Sequence, residues 1–207
     1  MRIAVIGAGN VGVALTQNLA SAGRDVVVGT RDPGGAGAAG ARERLGGVPV
    51  IGIAEAVEGA GVVILAVPGT AMDDLLTKHG PALDGKVVID AANRIGASLG
   101  DQAVMNSLAP IAAAAPAAAV YRAFNSLGWE NFADPALDGV QADLLFAGPG
   151  SRREDVERLI ADVGLRPVYV GDLDKAPLVD AVAALWGALA FGQGMGRRLF
   201  FKVVTPG

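Results

Sequence analysis

Three glycines near the amino terminus are spaced as GxGxxG. They lie in Gly7-Ala8-Gly9-Asn10-Val11-Gly12, directly after the apolar run Ile3–Ile6. In this pattern Gly7 permits a tight turn, and Gly9 lets the backbone approach a pyrophosphate closely. Gly12 lets a helix pack tightly against a strand. Because any GxGxxG sequence can occur by chance, the flanking elements decide what the motif means.

The flanking segments are those of a nucleotide-binding βαβ unit. A helix is predicted over residues 13–22 and a second strand over residues 26–28. The N–H groups of Asn10 and Val11 open this helix, so its positive dipole end would face the phosphates. A strand, a glycine turn, a helix and a strand in this order predict a dinucleotide-binding unit.

The end of the second predicted strand indicates which dinucleotide is bound. An NAD site usually carries Asp or Glu there, whereas a 2′-phosphate requires space, a hydroxyl donor and a cation. Gly29, Thr30 and Arg31 supply these three features in a row, and the Arg31 guanidinium can also stack on adenine. Asp32 lies near the position of an NAD-type acid, but it opens the sequence Asp-Pro-Gly-Gly, in which Asp commonly initiates a turn. The sequence therefore favours NADP over NAD.

The composition excludes several classes of function. The chain has 207 residues, 52% hydrophobic and 18% charged, which indicates a globular protein with one sizeable core. Its formal net charge of -4, without a basic block, gives no electrostatic footprint for nucleic acid. The chain has no cysteine and a single histidine, so we expect no disulfide and no metal site. The apolar stretches 111–120 and 183–191 are short or interrupted, and no signal peptide is visible, so we expect a cytoplasmic protein without a membrane segment.

Apolar runs and helical segments alternate along the rest of the chain. Strands are predicted at residues 48–51, 62–67, 87–90, 120–125, 143–147 and 166–170. Helices are predicted at residues 39–45, 53–57, from 71, and at 102–115, 152–163 and 177–201. The alternation predicts an α/β fold with a Rossmann-type, doubly wound, mainly parallel sheet. We expect residues 1–172 to form the dinucleotide-binding domain, and residues 173–207 to pack on it as a helical C-terminal segment at the substrate side or a dimer contact.

Ligands of open α/β sheets bind beyond the carboxyl ends of the strands, where the strand order reverses. The residues that end the predicted strands are therefore the candidate site. The candidate cofactor-binding residues are Gly7, Gly9, Asn10, Val11, Gly12, Thr30, Arg31, Ala66, Val67, Pro68, Ala91 and Asn93. The candidate substrate-binding residues are Asn125, Ser126, Leu127, Trp129 and Phe191. Trp129, Phe132, Trp186 and Phe191 could form an apolar wall for a ring, although each of them alone is more often a core residue.

Acid–base groups are scarce among these candidates. The groups expected to be structural, or to lie away from the glycine motif, are His79, Asp90, Tyr121, Tyr169, Lys78, Lys86, Lys175 and Lys202. Carbonyl reduction needs a proton donor, whereas hydride exchange between two cofactor rings needs alignment. We therefore predict no catalytic side chain.

The chain resembles the F420-dependent NADP oxidoreductase family, which passes a hydride between NADP and the deazaflavin coenzyme F420. The segments that carry the resemblance are residues 7–12, 28–31, 88–93 and 123–127, and the similarity extends from Met1 to about Pro206. It implies that Thr30 and Arg31 hold the 2′-phosphate and that Val67 and Pro68 border the nicotinamide. It also implies that residues 123–127 lie near the deazaflavin, although this chain has Asn125 where the family commonly has His.

The resemblance implies an NADP-dependent oxidoreductase with F420 as its second substrate. One alternative is NADPH-dependent reduction of a small C=N or C=O substrate, as in pyrroline carboxylate reductases, which usually have a longer helical C-terminal domain. The other is a non-catalytic NADP-binding redox sensor that acts through a partner. The Ala and Gly residues of the C-terminal segment permit close helix approach, so we also expect a homodimer.

Overall fold

A computed structural model of the chain describes residues 1–94 and 105–206. The strands are β1 (Ile3–Ile6), β2 (Val26–Thr30), β3 (Val50–Gly52), β4 (Val62–Leu65), β5 (Val87–Asp90), β6 (Ala119–Arg122), β7 (Ala136–Leu137), β8 (Val140–Gln141), β9 (Asp143–Ala147) and β10 (Arg166–Gly171). The α-helices are α1 (Asn10–Ser21), α2 (Ala36–Leu45), α3 (Ile53–Glu58), α4 (Met72–His79), α5 (Leu108–Ala114), α6 (Glu130–Ala133), α7 (Arg153–Asp162) and α8 (Ala176–Gly187). Residues 102–104 of the helix predicted at 102–115 lie outside the described residues.

Eight of these strands form one sheet in the order β10-β9-β6-β5-β4-β1-β2-β3. The strands β1 to β6 are mutually parallel, while β9 and β10 run antiparallel to β6. The chain leaves β1 in one direction towards β3 and then in the other direction from β4 to β6. The strand order therefore reverses between β1 and β4, which confirms the predicted Rossmann-type, mainly parallel sheet.

The central strands are apolar along their whole length because both faces of the sheet are covered. Every residue of β1, β4 and β5 is buried. In β1, Ile3 and Val5 contribute to one core cluster, whereas Ala4 and Ile6 contribute to a second one. This is the pattern of a parallel sheet between two helical layers, and it fixes the carboxyl ends of the strands along one edge.

Two strands end earlier than predicted, and both changes shape the site. The strand predicted at 62–67 ends at Leu65, and the one predicted at 120–125 ends at Arg122. The second ends there because Phe124 has a φ of 62°, in the left-handed region that an extended strand cannot contain. The predicted strand residues Ala66, Val67 and Asn125 thus lie in loops at the carboxyl edge.

A small hairpin lies between α6 and β9, in a region for which the sequence predicted no strand. Its strands β7 and β8 pair antiparallel through two residue pairs. Asp138 and Gly139, with φ values of 50° and 79°, form the turn between them. An Asp-Gly pair between short apolar segments is a hairpin signal, so this element was readable from the sequence.

The C-terminal helix is shorter than predicted. The regular helix α8 ends at Gly187 and continues as one π-helical turn, Ala188–Gly192. Gly194 and Gly196 then adopt left-handed φ values of 67° and 82°, which a continuing helix cannot accommodate. The chain beyond them packs back, and the Trp186 Nε1–H donates to the Leu199 carbonyl oxygen at 2.7 Å.

The helical segment Leu173–Gly192 is the one helix of the described residues that is long and apolar enough to cross a membrane. It has 20 residues and a mean hydropathy of 1.3. The apolar stretch 183–191 was expected to be short or interrupted, but the helical segment continues through Gly187. Core helices of globular domains pass the same test, and this one contributes Val179 and Trp186 to the two core clusters of the sheet.

Candidate cofactor site

The glycine turn after β1 has the geometry that the motif predicts. Gly7 has a φ of 122°, and a Cβ at Gly7 would overlap the carbonyl oxygen of Ala66. A Cβ at Gly12 would overlap the carbonyl oxygen of Gly7. By contrast, a Cβ at Gly9 would meet no atom within 4 Å, so the space above Gly9 is open. Two glycines make the turn compact, and the third leaves its outer face accessible to a ligand.

The amino terminus of α1 lies at this turn and is open to an anion. Gly9 caps the helix without a side-chain hydrogen bond, and the first turn contains no acidic residue. The N–H groups of Asn10, Val11 and Gly12 therefore have no side-chain cap, which is the arrangement that binds phosphates in dinucleotide sites. The Asn10 side chain is held at the edge, where its Oδ1 accepts from Arg44 Nη1 at 3.1 Å.

A cavity of about 420 Å³ opens beside the turn. Its walls come from the loops after β1, β2 and β4, from the start of α3 and from α4. The residues that line it are Gly7, Ala8, Gly29, Thr30, Arg31, Gly52, Ile53, Ala54, Val67, Pro68, Ala71, Asp74, Leu75, Lys78 and His79. Its volume suits part of a nucleotide, and its place at the end of β2 is that of the adenosine half.

Thr30 and Arg31 line this cavity at the end of β2. Asp32, the residue that could have indicated NAD, lies in the predicted turn. Its Oδ1 accepts from the Gly34 N–H at 3.2 Å, and its carbonyl accepts from the Gly35 N–H at 3.2 Å. With Asp32 engaged in the turn, the cavity wall at β2 presents a hydroxyl and a guanidinium, which fits a 2′-phosphate.

Helix α4 supplies cavity residues that the sequence reasoning missed. Lys78 lies on the same cavity as the glycine turn, contrary to the expectation that no lysine lies beside it. Its Nζ contacts Asp74 Oδ1 at 2.8 Å. The hydrogen bond from Lys78, together with the nearby charges of Arg31 and His79, lowers the pKa of Asp74 below its ordinary value. His79 is the last residue of α4, where a cation also complements the helix dipole.

The strand-end loops form a continuous strip in the order of the sheet. Gly7 adjoins Ala66 after β4, and Gly69 packs so closely on the loop after β5 that a Cβ would meet the Asn93 carbonyl oxygen. Asn93 Nδ2 in turn donates to the Asn125 carbonyl oxygen, after β6, at 2.8 Å. A ligand that starts in the cavity and crosses the glycine turn therefore continues towards the loops after β4, β5 and β6.

The candidate substrate residues are less accessible than expected. None of the five lines the cavity. Asn125, Ser126 and Leu127 are buried, and Trp129 is half-buried against the core. Phe191 is 64% exposed and lies edge-on to Trp186 at 5.6 Å between ring centroids.

Phe132 is a core residue, which is the more frequent role of such a side chain. It is fully buried and packs edge-on against Phe124 at 6.0 Å between ring centroids. Its helix α6 places it inside the cluster that fills one face of the sheet.

Two of the acid–base groups named from the sequence, Tyr121 and Asp90, have structural contacts. Burial raises the pKa of Tyr121 to about 12, and its hydroxyl donates to the Pro149 carbonyl oxygen. Asp90 is fully buried and accepts from the N–H groups of Ala92 at 3.1 Å and Ser107 at 2.7 Å, so it orders the loop after β5. Within residues 1–94 and 105–206, no three His, Asp or Glu side chains are grouped to hold a metal ion.

The chain is similar in sequence to a known protein family and to known enzymes. Residues 2–94 match the family model described as NADP oxidoreductase, coenzyme F420-dependent. The F420-dependent NADP reductase of Methanothermobacter marburgensis is 33% identical over 203 residues, covering 89% of this chain and 90% of that protein. A glycerol-3-phosphate dehydrogenase [NAD(P)+] of Paracoccus denitrificans is 30% identical over 217 residues, covering 100% of this chain and 66% of that protein.

Solved structures show the same fold over the whole chain. A crystal structure from Arthrobacter sp. FB24, provisionally assigned as an F420-dependent NADP reductase, superposes with a TM-score of 0.84 and 25% identity. The superposition covers 98% of this chain and 99% of the Arthrobacter chain. The reductive aminase of Aspergillus terreus in complex with NADPH gives a TM-score of 0.68 at 21% identity, over 93% of this chain and 62% of that one, which shows a shared fold.

Three observations indicate the same family: the glycine turn, the cation at the end of β2 and the relative of nearly equal length. The chain belongs to the F420-dependent NADP oxidoreductase family and is an NADP-dependent oxidoreductase.

Proposed function

We propose that the protein transfers a hydride between NADP(H) and the deazaflavin coenzyme F420. The supporting observation is the 33% identity, over 89% of this chain, to an F420-dependent NADP reductase. The proposal extends the shown family membership to a specific second substrate.

We place the cofactor along the strip of strand-end loops. Thr30 and Arg31 bind the 2′-phosphate in the cavity, and the open amino terminus of α1 binds the pyrophosphate. Because the adenosine half lies on the β2 side of the glycine turn, the nicotinamide half lies on the other side. There it borders Ala66 after β4, and Ala91 and Asn93 after β5. Val67 and Pro68, which also line the cavity, lie between the two halves and border the nicotinamide from the cavity side. Bound in this place, NADPH would supply a hydride from nicotinamide C4, and NADP+ would accept one there.

The nicotinamide side suits hydride transfer between two stacked rings. Ala66, Pro68 and Ala91 are small or flat and carry no titratable group, so a ring can lie against them. We propose that the second ring lies over the loop after β6, at Asn125, Ser126 and Leu127, with Trp129 and Phe191 at its outer side. The rate enhancement then comes from alignment of the rings by the chain.

Stopped-flow mixing of the purified protein with NADPH and F420 tests the proposal. We expect rapid loss of the absorbance of oxidised F420, at a rate that saturates with both substrates. If F420 keeps its absorbance while NADPH binds by calorimetry, the second substrate is wrong and the cofactor half stands. Turnover with a small imine or carbonyl compound would then indicate a reductase of such substrates, and no turnover with any acceptor would indicate a redox sensor.

We also propose that a second copy of the chain covers the outer face of the C-terminal segment. Four large apolar side chains there are at least half exposed: Leu178, Leu185, Phe191 and Met195. The Ala and Gly residues between them permit close helix packing, and an isologous contact would bury both copies of this face. Light scattering tests this proposal, and a monomer at all accessible concentrations would contradict it.

A further inference from the structure

Arg122, the last residue of β6, is fully buried and joins the carboxyl edge of the sheet to the C-terminal helix. Its Nε donates to Asp180 Oδ1 on α8 at 2.7 Å. Its Nη2 donates to Asn93 Oδ1 at 2.6 Å, and its Nη1 donates to the Ala92 carbonyl oxygen at 2.5 Å and to the Asp90 carbonyl oxygen at 3.1 Å. One guanidinium therefore holds residues 90–93, where the chain leaves β5, and one side chain of α8.

Asp180 is the centre of a second set of contacts. Besides Arg122, its carboxylate accepts from Asn125 Nδ2 at 3.2 Å and from Asn106 Nδ2 at 2.6 Å. The loops after β5 and β6, and the segment before α5, are thus held by a single side chain of α8. Asp180 is only 8% exposed, so these hydrogen bonds are shielded from water.

The backbone that this network holds is strained at one residue. Phe124 has a φ of 62°, in the left-handed region that non-glycine residues rarely adopt. Its neighbour Asn125 is fixed twice, through its carbonyl oxygen by Asn93 Nδ2 and through its own Nδ2 by Asp180. The strained conformation persists because these two contacts, on either side of the loop, determine it.

Stability alone does not account for the network. Arg122 and Asp90 have side chains with no exposure, and they lie 3.3 Å apart between Nη1 and Oδ2. Buried ion pairs lose hydration energy, and apolar residues of similar volume often give equal or greater stability. What an ion pair with directional hydrogen bonds provides is a single defined geometry, and here that geometry is the shape of the loops after β5 and β6.

We propose that Arg122 and Asp180 are positioning residues for the nicotinamide half of the cofactor. They act through Asn93 and the Phe124–Asn125 backbone. The shape of the binding site for the nicotinamide half therefore depends on α8. Among the described residues, those that line the cavity of the adenosine half make no hydrogen bond to Arg122, Asp180, Asn93 or Asn125. Helix α4 reaches the segment before α5 from outside the cavity lining, where Asp73 pairs with Arg94 and Arg94 Nε donates to Ser107 Oγ. We therefore expect the adenosine half to form without the network. The inference rests on the proposed placement of the nicotinamide, and it does not depend on which second substrate is reduced.

The test compares two ligands that differ in the nicotinamide half. The fragment 2′,5′-ADP occupies the adenosine half alone, whereas NADPH occupies both halves and its nicotinamide fluorescence reports its surroundings. For Asp180→Asn we expect the Kd of 2′,5′-ADP to change by less than about twofold. We expect the Kd of NADPH to rise about tenfold, because a small displacement of a positioned ring is costly, and the fluorescence change on binding to be lost.

Two further variants separate positioning from general stability. Asp143→Asn removes another buried carboxylate, which pairs with Arg166 at 2.5 Å and has no contact with the network. It should lower the unfolding temperature while both Kd values stay at the wild-type level. The double variant Arg122→Met, Asp180→Leu is made in an Asp90→Asn background, so that neither carboxylate that pairs with Arg122 is left as an unpaired buried charge. Compared with Asp90→Asn alone, it should still fold and show the selective loss of NADPH affinity.

The outcomes are distinguishable. A rise in Kd for NADPH alone, in Asp180→Asn or in the double variant, supports the proposal. Wild-type NADPH affinity in these variants, or an equal loss of both ligands, overturns it and leaves the network a role in stability. Failure of the wild-type protein to reduce F420 would leave this comparison unaffected, because both ligands are measured without an acceptor.

Discussion

Gly12 packs so closely on Gly7 that a Cβ on Gly12 would overlap the Gly7 carbonyl oxygen. This contact joins the first turn of α1 to the turn that leaves β1. The position of the α1 amino terminus over the proposed pyrophosphate site therefore depends on the absence of one methyl group.

Gly12→Ala should displace α1 from the turn and abolish NADPH binding. The matched control is Gly40→Ala in the middle of α2, where a Cβ would meet no atom within 4 Å. Because alanine is the better helix former, the control should raise the free energy of unfolding by about 1 kcal/mol and leave the Kd of NADPH unchanged. Calorimetric titration and denaturant unfolding of both variants check this, and normal NADPH affinity in Gly12→Ala would contradict the assigned geometry.

Arg31→Ala should weaken NADPH binding far more than NADH binding. The loss of one charge-assisted hydrogen bond to a phosphate corresponds to about 2 kcal/mol. Arg158→Ala is the control, because Arg158 is a surface arginine of α7 that pairs with Asp155 at 2.6 Å. Titration of each variant with both nucleotides measures the ratio of the Kd for NADPH to the Kd for NADH. Equal losses of NADPH and NADH affinity in Arg31→Ala would mean that the 2′-phosphate binds elsewhere.

Asp74→Asn should tighten NADPH binding relative to NADH. Asp74 is the one carboxylate among the described residues that line the cavity, where it holds Lys78 at 2.8 Å. Removing its charge frees Lys78 and removes repulsion of the 2′-phosphate, a small effect because both groups are exposed to solvent. The effect should shrink as salt is added. A weaker NADPH complex would instead show that Asp74 binds the nucleotide directly.

The stability of the protein should fall on acidification through Asp143. Burial by itself raises the pKa of this carboxyl, but hydrogen bonds from Arg166, Lys202 and the Val203 N–H outweigh burial and lower it. A carboxyl with a lower pKa in the folded state stabilises the fold above its unfolded pKa, and this stability is lost as the pH falls through the folded pKa.

Asp143→Asn removes this dependence. At neutral pH we expect this variant to lower the free energy of unfolding by about 1 kcal/mol or more. Below about pH 4, the difference in free energy of unfolding between the variant and the wild type should become smaller. Denaturant unfolding at a series of pH values measures the gap. A gap that stays constant down to low pH would show that Asp143 does not titrate with folding.

The parts of the site that the sequence predicted are those encoded locally. The GxGxxG turn and the Gly29-Thr30-Arg31 strand end lie within one βαβ unit, so residue type and spacing suffice to place them. The contributions of Lys78 and His79 were missed because the prediction located α4 without orienting it over the cavity. The strand predicted through Asn125 was too long because Phe124 has a left-handed backbone that its residue type does not favour.

The Arg122–Asp180 pair was missed because its members are separated by 58 positions along the chain. A signal was nevertheless present in each segment. Arg122 stands in an apolar strand, and Asp180 stands among apolar residues of α8. A charge on a buried face needs a partner, so two such charges of opposite sign predict each other once the sheet topology is known.

Transfer of a labelled hydride tests the central claim most directly. NADPH carrying deuterium at nicotinamide C4 is mixed with F420 and the protein, and the reduced deazaflavin is analysed by mass spectrometry and NMR. Direct transfer between stacked rings predicts that one of the two C4-labelled forms of NADPH delivers its deuterium to C5 of F420 without exchange. Release of the deuterium into water, or no reduction of F420 by a protein that binds NADPH, would contradict the account.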